Sequence, residues 1–238
     1  MAGETIKTKG IVLDIRPWSQ TSHVTTWLTP DHGPVTTLVK GAVRPKSAFL
    51  GQYDLFYTCE LIYYARASGE LHAIREACAE NMREWMRGDF RATALASYAA
   101  HLVREHCPHG AEAAEWFAML ERTLDGLNGC QAMERALMAF EIGFLGLAGL
   151  SPDFADADLS RETVPFAIDL GHVGFGTKTV QVPCGAARLL AAECGMQDPS
   201  PSDVSSALRF LGLFLRYHID MQPEVRRNTL ALLNPPGA

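Results

Sequence analysis

Lys40, Arg44 and Lys46 fall within seven residues, and no acidic residue lies between Lys40 and Gly51. Ammonium and guanidinium groups clustered on a loop give a set of phosphate contacts that hold a nucleic-acid backbone without reading its bases. Lys7, Lys9 and Arg16 precede them, and Trp18, Trp27, Phe49 and Tyr53 are interleaved. Exposed aromatic rings beside a basic groove stack unpaired bases. The same residues have a plainer reading, in which Trp27 and Tyr53 are core and the three cations sit on an ordinary solvated loop.

Catalytic signatures are missing. The chain has no GxxxxGK[ST] phosphate loop, no GxSxG elbow and no HExxH pair. Gly171-His172-Val173-Gly174-Phe175-Gly176 is rich in glycine but lacks the GxGxxG spacing, and it reads as a hairpin turn. His101, His106, Cys107 and His109 are zinc-ligand types. His101 and His106 diverge by roughly 140° around a helix. His106, Cys107 and His109 straddle Pro108, where they either converge on a metal or form a polar helix terminus. Asp153, Asp156 and Asp158 lack the glycine and terminal glutamate of a calcium loop and read as a solvated acidic segment. With no nucleophile, cofactor loop or acid/base pair, the chain reads as a non-enzyme.

The elements that must position the cations follow from patterning. The chain has 238 residues, of which 47% are hydrophobic and 20% charged, enough for a real core. No run of eighteen apolar residues and no apolar N-terminal stretch occur, which predicts a cytoplasmic protein that does not enter a membrane. Six cysteines without a CxxC pair suit a reducing compartment. The net charge of −6 argues against a nucleic-acid partner, but residues 1–50 carry six basic and three acidic residues.

β-branched residues alternate up to about residue 80. Runs at Ile6 to Ile15, Val24 to Leu28, Val35 to Lys40, Leu55 to Ala65 and Leu71 to Glu76 predict five strands. The last two pair across Arg66-Ala67-Ser68-Gly69, and Gly10 marks a bulge or a sharp barrel bend. A five-stranded oligonucleotide-binding (OB) barrel fits, with an SH3-like barrel as alternative. Helical periodicity follows, at Met82 to Cys107, at Ala111 to Leu127, and from an Asn128 cap to Ala148. It resumes at Gly185 to Cys194, Ser202 to Asp220 and Pro223 to Leu233. The expected class is α+β in two parts: a barrel over 1–80 and a helical bundle over 81–238. An irregular hairpin insertion, 151–183, interrupts the bundle.

Residues 9–51 resemble the N-terminal barrel of the RecO family of bacterial recombination mediators. The likeness rests on Lys9 to Leu13, Gln20-Thr21-Ser22, Leu28-Thr29, His32-Gly33, Val39-Lys40-Gly41-Ala42, Arg44 and Lys46-Ser47. Phe140-Glu141-Ile142, running to Ser151-Pro152, resembles the family's FEL helix. Leu215-Arg216-Tyr217-His218 with Arg226-Arg227 resembles its closing helices.

The resemblance implies binding of single- and double-stranded DNA and annealing of complementary strands. It also implies action with RecR to load RecA onto DNA coated by single-strand-binding protein. It assigns phosphate contact to Lys9, Arg16, Lys40, Arg44 and Lys46, with Arg226 and Arg227 as a second patch. Four to five such contacts imply a log–log salt slope of roughly −3 on single strands.

Two departures stand out. Relatives with zinc carry two cysteine pairs after the FEL helix, whereas residues 151–183 contain none, so no zinc is expected there. Met138 and Ala139 occupy positions where some relatives carry the cations that receive the acidic tail of single-strand-binding protein. Arg122 and Arg135 are the candidate substitutes. The rival reading is a protein-interaction scaffold with little DNA affinity of its own.

Overall fold

The computed structural model describes residues 4–66, 69–191, 199–219 and 223–233. They form two compact units, meeting in sequence at Asn128 and Gly129.

The first unit opens with five strands: β1 (Glu4–Ser19), β2 (Ser22–Thr29), β3 (Gly33–Val39), β4 (Thr58–Ala65) and β5 (Leu71–Asn81). They close in the order β1-β2-β3-β5-β4. β1 is long because it serves two neighbours, pairing with β4 over Glu4–Ile11 and with β2 over Ile11–Ser19. Gly10 lies where the strand passes from one to the other, and a Cβ there would collide with Leu61 and crowd Trp27. A bulge between Val12 and Asp14 adds the twist that the turn requires. β3 and β5 run parallel through Thr36–Leu38 and Leu71–Ala73. That pairing closes the barrel with OB connectivity and resolves the choice against the SH3-like alternative.

Trp27 is fully buried in the barrel, with Val12, Tyr57, Cys59, Leu61 and Ala77 around it. Its indole N–H donates to Thr37 Oγ1 at 2.9 Å, so the polar edge is satisfied inside the core. The strand expected from Leu55 starts only at Thr58, because Phe56 takes φ +66 and its N–H turns back to the Val12 carbonyl.

The single helix expected from Met82 to Cys107 is broken. A 3₁₀ turn, Glu84–Gly88, precedes α1 (Phe90–His106), since Asp89 takes an extended conformation and caps α1 by accepting the Ala92 N–H at 2.9 Å. Arg83, at φ +44 and nearly fully buried, ties this junction to the barrel. Its guanidinium donates to the Phe56 carbonyl (2.6 Å), Thr58 Oγ1 (3.1 Å) and Asp125 (2.7 Å). Asp125 belongs to α2 (Ala113–Gly126).

In the second unit, α3 (Met133–Leu147) starts five residues beyond the expected Asn128 cap, after Gly129 at φ +68. Strands β6 (Thr163–Ala167), β7 (His172–Val173) and β8 (Thr179–Pro183) make the insertion a small three-stranded sheet. Helices α4 (Cys184–Ala191), α5 (Pro201–His218) and α6 (Pro223–Leu233) complete the unit. Ser200, rather than Ser202, caps α5, and Pro201 fills its first turn. Cys194 and Asp220, expected helix ends, and the Ala67-Ser68 turn lie outside the described residues. The sheet is held to α5 by Phe154, Phe166, Phe210 and Phe214, whose rings lie 4.6–6.1 Å apart. Among the described residues no helix is long and apolar enough to cross a membrane.

Candidate nucleic-acid interface

The segment between β3 and β4 is a ladder of tight turns. Backbone N–H groups of Arg44, Ser47, Leu50 and Gln52 donate to the carbonyls of Gly41, Arg44, Ser47 and Phe49. Gly41 enters it at φ +68 and lets the Arg44 stem cross closely above, where a Cβ would lie 3.2 Å from Arg44 Cδ. One end is tied to the β1–β2 hairpin, with Gly41 N–H on Ser22 Oγ (3.3 Å) and Val43 N–H on the Thr21 carbonyl (3.4 Å). The other end is held by Phe56 and Arg83. Underneath, Phe49 and Tyr53 pack on the Trp27 core. The Tyr53 hydroxyl pairs with His23 Nδ1 at 2.8 Å, and burial pushes its phenol up to about 12. Clamped in this way, the loop presents Lys40, Arg44 and Lys46 to solvent. Among the described residues, none of these three cations has an ion-pair partner.

The other expected contacts differ in their surroundings. Lys9 Nζ lies 2.7 Å from Glu80, whose hydrogen bond holds the ammonium above its usual range. Arg16 lies 2.6 Å from Asp14, a carboxylate that Arg104 also approaches at 3.3 Å. Lys7 pairs with Glu60 at 3.0 Å. All three are exposed, so these pairs are weak and exchangeable.

Arg226 requires a correction. It is buried, and its guanidinium forms a two-pronged pair with the fully buried Glu141 at 2.6 and 2.8 Å. A third hydrogen bond, 2.8 Å, reaches the Leu208 carbonyl. A guanidinium so enclosed does not meet a phosphate. It neutralises the buried carboxylate of an otherwise apolar face of α3. The signal was legible, because a glutamate inside the run Phe140-Glu141-Ile142 must find a cation when that face is buried. Arg227, its neighbour, is exposed. Arg122 lies exposed on α2 in the first unit, and Arg135 exposed on α3 in the second.

Met138 is buried, whereas Ala139 lines a groove of about 560 Å³ with Ile142, Gly146, Pro152, Phe154 and Leu190. Among the described residues, the only charged side chain lining it is Asp153. Around Pro108, His106 Nδ1 lies 3.0 Å from the Leu102 carbonyl. Burial pushes the Cys107 thiol up to about 12, and its S–H donates to the Pro108 carbonyl at 3.4 Å. His109 lines a cavity of about 420 Å³ with His32, His72 and Arg104. Among the described residues no three His, Cys, Asp or Glu side chains are grouped to hold a metal. Residues 151–183 contain no cysteine and so cannot supply a Cys₄ zinc site, and the neighbouring Cys184 thiol donates to the Leu159 carbonyl.

The closed barrel order β1-β2-β3-β5-β4 with its parallel β3–β5 pairing defines a protein of the OB-fold class, here followed by helices. The sequence pattern described as "Recombination protein O N terminal" matches residues 1–82, and "Recombination protein O C terminal" matches residues 87–227. The chain belongs to the RecO family. A DNA repair protein RecO of Anaeromyxobacter sp. (strain K) is 31% identical over 63% of this chain and 59% of its own length. That of Myxococcus xanthus is 27% identical over 88% of this chain and 90% of its own. That of Halalkalibacterium halodurans is 23% identical over 95% and 82% respectively. The match thus spans about three-fifths of the Anaeromyxobacter relative and most of the other two.

Proposed function

We propose that this chain is a non-enzymatic recombination mediator. It binds single- and double-stranded DNA through the β3–β4 loop, anneals complementary strands and, with RecR, loads RecA onto DNA coated by single-strand-binding protein. The observation that carries the reading is the set Lys40, Arg44 and Lys46, three exposed cations on a loop braced at both ends. Bracing matters because a rigid cationic surface loses little entropy when a phosphate chain settles on it. Cations along the loop reduce repulsion between two approaching strands, the electrostatic requirement of annealing.

Fluorescence anisotropy of a labelled single-stranded oligonucleotide tests the reading. Three contacts imply a log–log salt slope of about −2, and recruitment of Lys9 and Arg16 would steepen it to about −3.5. We expect the Lys40→Ala, Arg44→Ala, Lys46→Ala triple variant to lose most of its affinity and flatten the slope. An unchanged triple variant rejects the loop as the DNA site.

The pairing of Lys9 and Arg16 with Glu80 and Asp14 favours a second reading, a scaffold with little DNA affinity. It predicts tight RecR binding by a folded protein that leaves oligonucleotides free. Binding of the tail of single-strand-binding protein belongs to the first reading. The groove beside Ala139 offers apolar surface for it, and Arg135, one helical turn before, is the candidate for its charge.

A further inference from the structure

Four tryptophans occur in the chain, and three are accounted for by packing. Trp27 and Trp116 are buried and Trp85 is half-buried. Trp18 is 63% exposed, a large apolar ring left in water. Its backbone setting is unusual. Pro17 pairs with His23 and Ser19 with Ser22, so Trp18 is the extra residue of a β-bulge just before the β1–β2 turn. Bulges re-aim a side chain and break the ladder locally. The hairpin that carries it is bound to the cationic loop by the two hydrogen bonds at Ser22 and Thr21. The loop and the segment after it also expose apolar side chains, with Val43 at 48%, Leu50 at 50% and Leu55 at 44%. A cavity of about 310 Å³ is bordered by Ile15, His23, Val43, Leu50 and Leu55, and by Asp54, whose carboxylate is paired with Arg87 at 2.8 Å.

An aromatic ring and an apolar shelf beside unpaired cations match a partner that is anionic along its backbone and flat and apolar on its faces. We propose that Trp18 is a base-stacking platform for single-stranded nucleic acid, with the Val43–Leu50 shelf receiving the neighbouring base while Lys40, Arg44 and Lys46 hold the phosphates. The inference rests on the DNA-binding reading above and adds a preference to it. Bases paired in a duplex cannot stack on Trp18, so the platform makes the barrel favour single strands. The charge pattern decides against an apolar protein segment as occupant, because such a segment leaves three cations unanswered.

Stacking and phosphate contact separate cleanly by experiment. A normal oligonucleotide, an abasic oligonucleotide of equal length and a duplex are titrated while anisotropy and tryptophan emission are followed. Wild type is expected to show quenching that saturates with the anisotropy, and tighter binding of the normal strand than of the abasic one. Trp18→Ala is expected to lose roughly five- to 160-fold in affinity for the normal strand, the range for one stacked base. Its salt slope should be unchanged, because stacking releases no counterions. Trp18→Phe should retain most of the affinity and lose the quenching. Binding without quenching, or equal affinity of wild type and Trp18→Ala, overturns the platform and leaves the phosphate loop standing. Loss confined to Lys40→Ala, Arg44→Ala, Lys46→Ala has the same meaning. No binding of any strand by folded wild type removes the DNA reading itself.

Discussion

Glu141 and Arg226 lie 85 residues apart and meet inside the second unit. Both are desolvated, so each needs the other to avoid an unpaired buried charge. Gly212 on α5 makes room for the guanidinium, since a Cβ there would press on Arg226 Nη1. Glu141→Ala is therefore expected to lower unfolding stability by about 3–5 kcal/mol. Replacing both partners by apolar residues of similar volume, Glu141→Leu with Arg226→Met, should recover most of that loss. Chemical denaturation followed by circular dichroism measures both. Arg227→Ala, on the exposed side of the same turn, should leave stability within about 0.5 kcal/mol of wild type. If Glu141→Ala proved neutral, the pair would not be what holds α6 to α3.

At the scale of elements, the β-sheet insertion shows how the segment between α3 and α4 keeps its form. The Asp169 carboxylate accepts the Thr177 hydroxyl (2.6 Å), the Thr177 N–H (2.8 Å) and the Lys178 N–H (3.2 Å). The Thr177 hydroxyl is the largest cause that holds this carboxyl down at about 2. A depressed carboxyl adds stability above its unfolded value, near 4, and loses it as pH falls through the folded value. The amides of Thr177 and Lys178 should thus keep constant protection factors from pH 7 to about 4 and lose them toward pH 2. Asp169→Ala should remove that protection at every pH without disturbing the barrel. Hydrogen exchange, corrected for intrinsic rates, reads both. Together with the phenylalanine cluster behind the sheet, these contacts account for its shape from this chain's own side chains.

For the whole molecule, the corresponding proposal is that the helical unit folds without zinc. Metal analysis of the purified protein should give far less than one zinc per chain, and a chelator should leave its melting transition in place. A transition that drops on chelation would reveal a metal held by other residues. Charge also works at this scale. The chain carries −6 overall, yet the loop cations lie in a stretch free of acids, so net charge gives the wrong sign for the local field that a phosphate meets.

What the amino-acid sequence by itself determined were features set by near neighbours. β-branched alternation marked the five strands, and Gly10 marked the bend where β1 changes partners. The spacing of Gly41, Arg44 and Lys46 marked the loop. Turn, strand and helix preferences act over a few residues, so one reading of the chain contains them. The tertiary structure decided what depends on distant partners. The parallel β3–β5 pairing separated an OB barrel from its SH3-like alternative. Burial separated Trp27, a core residue, from Trp18, a surface one. A glutamate 85 positions away turned Arg226 from a surface cation into an internal one. Helix ends shifted for a local reason that periodicity alone does not carry, as Asp89 and Ser200 cap α1 and α5 by accepting the Ala92 and Asp203 N–H groups. Burial and pairing are properties of the folded surface, and short-range pattern does not contain them.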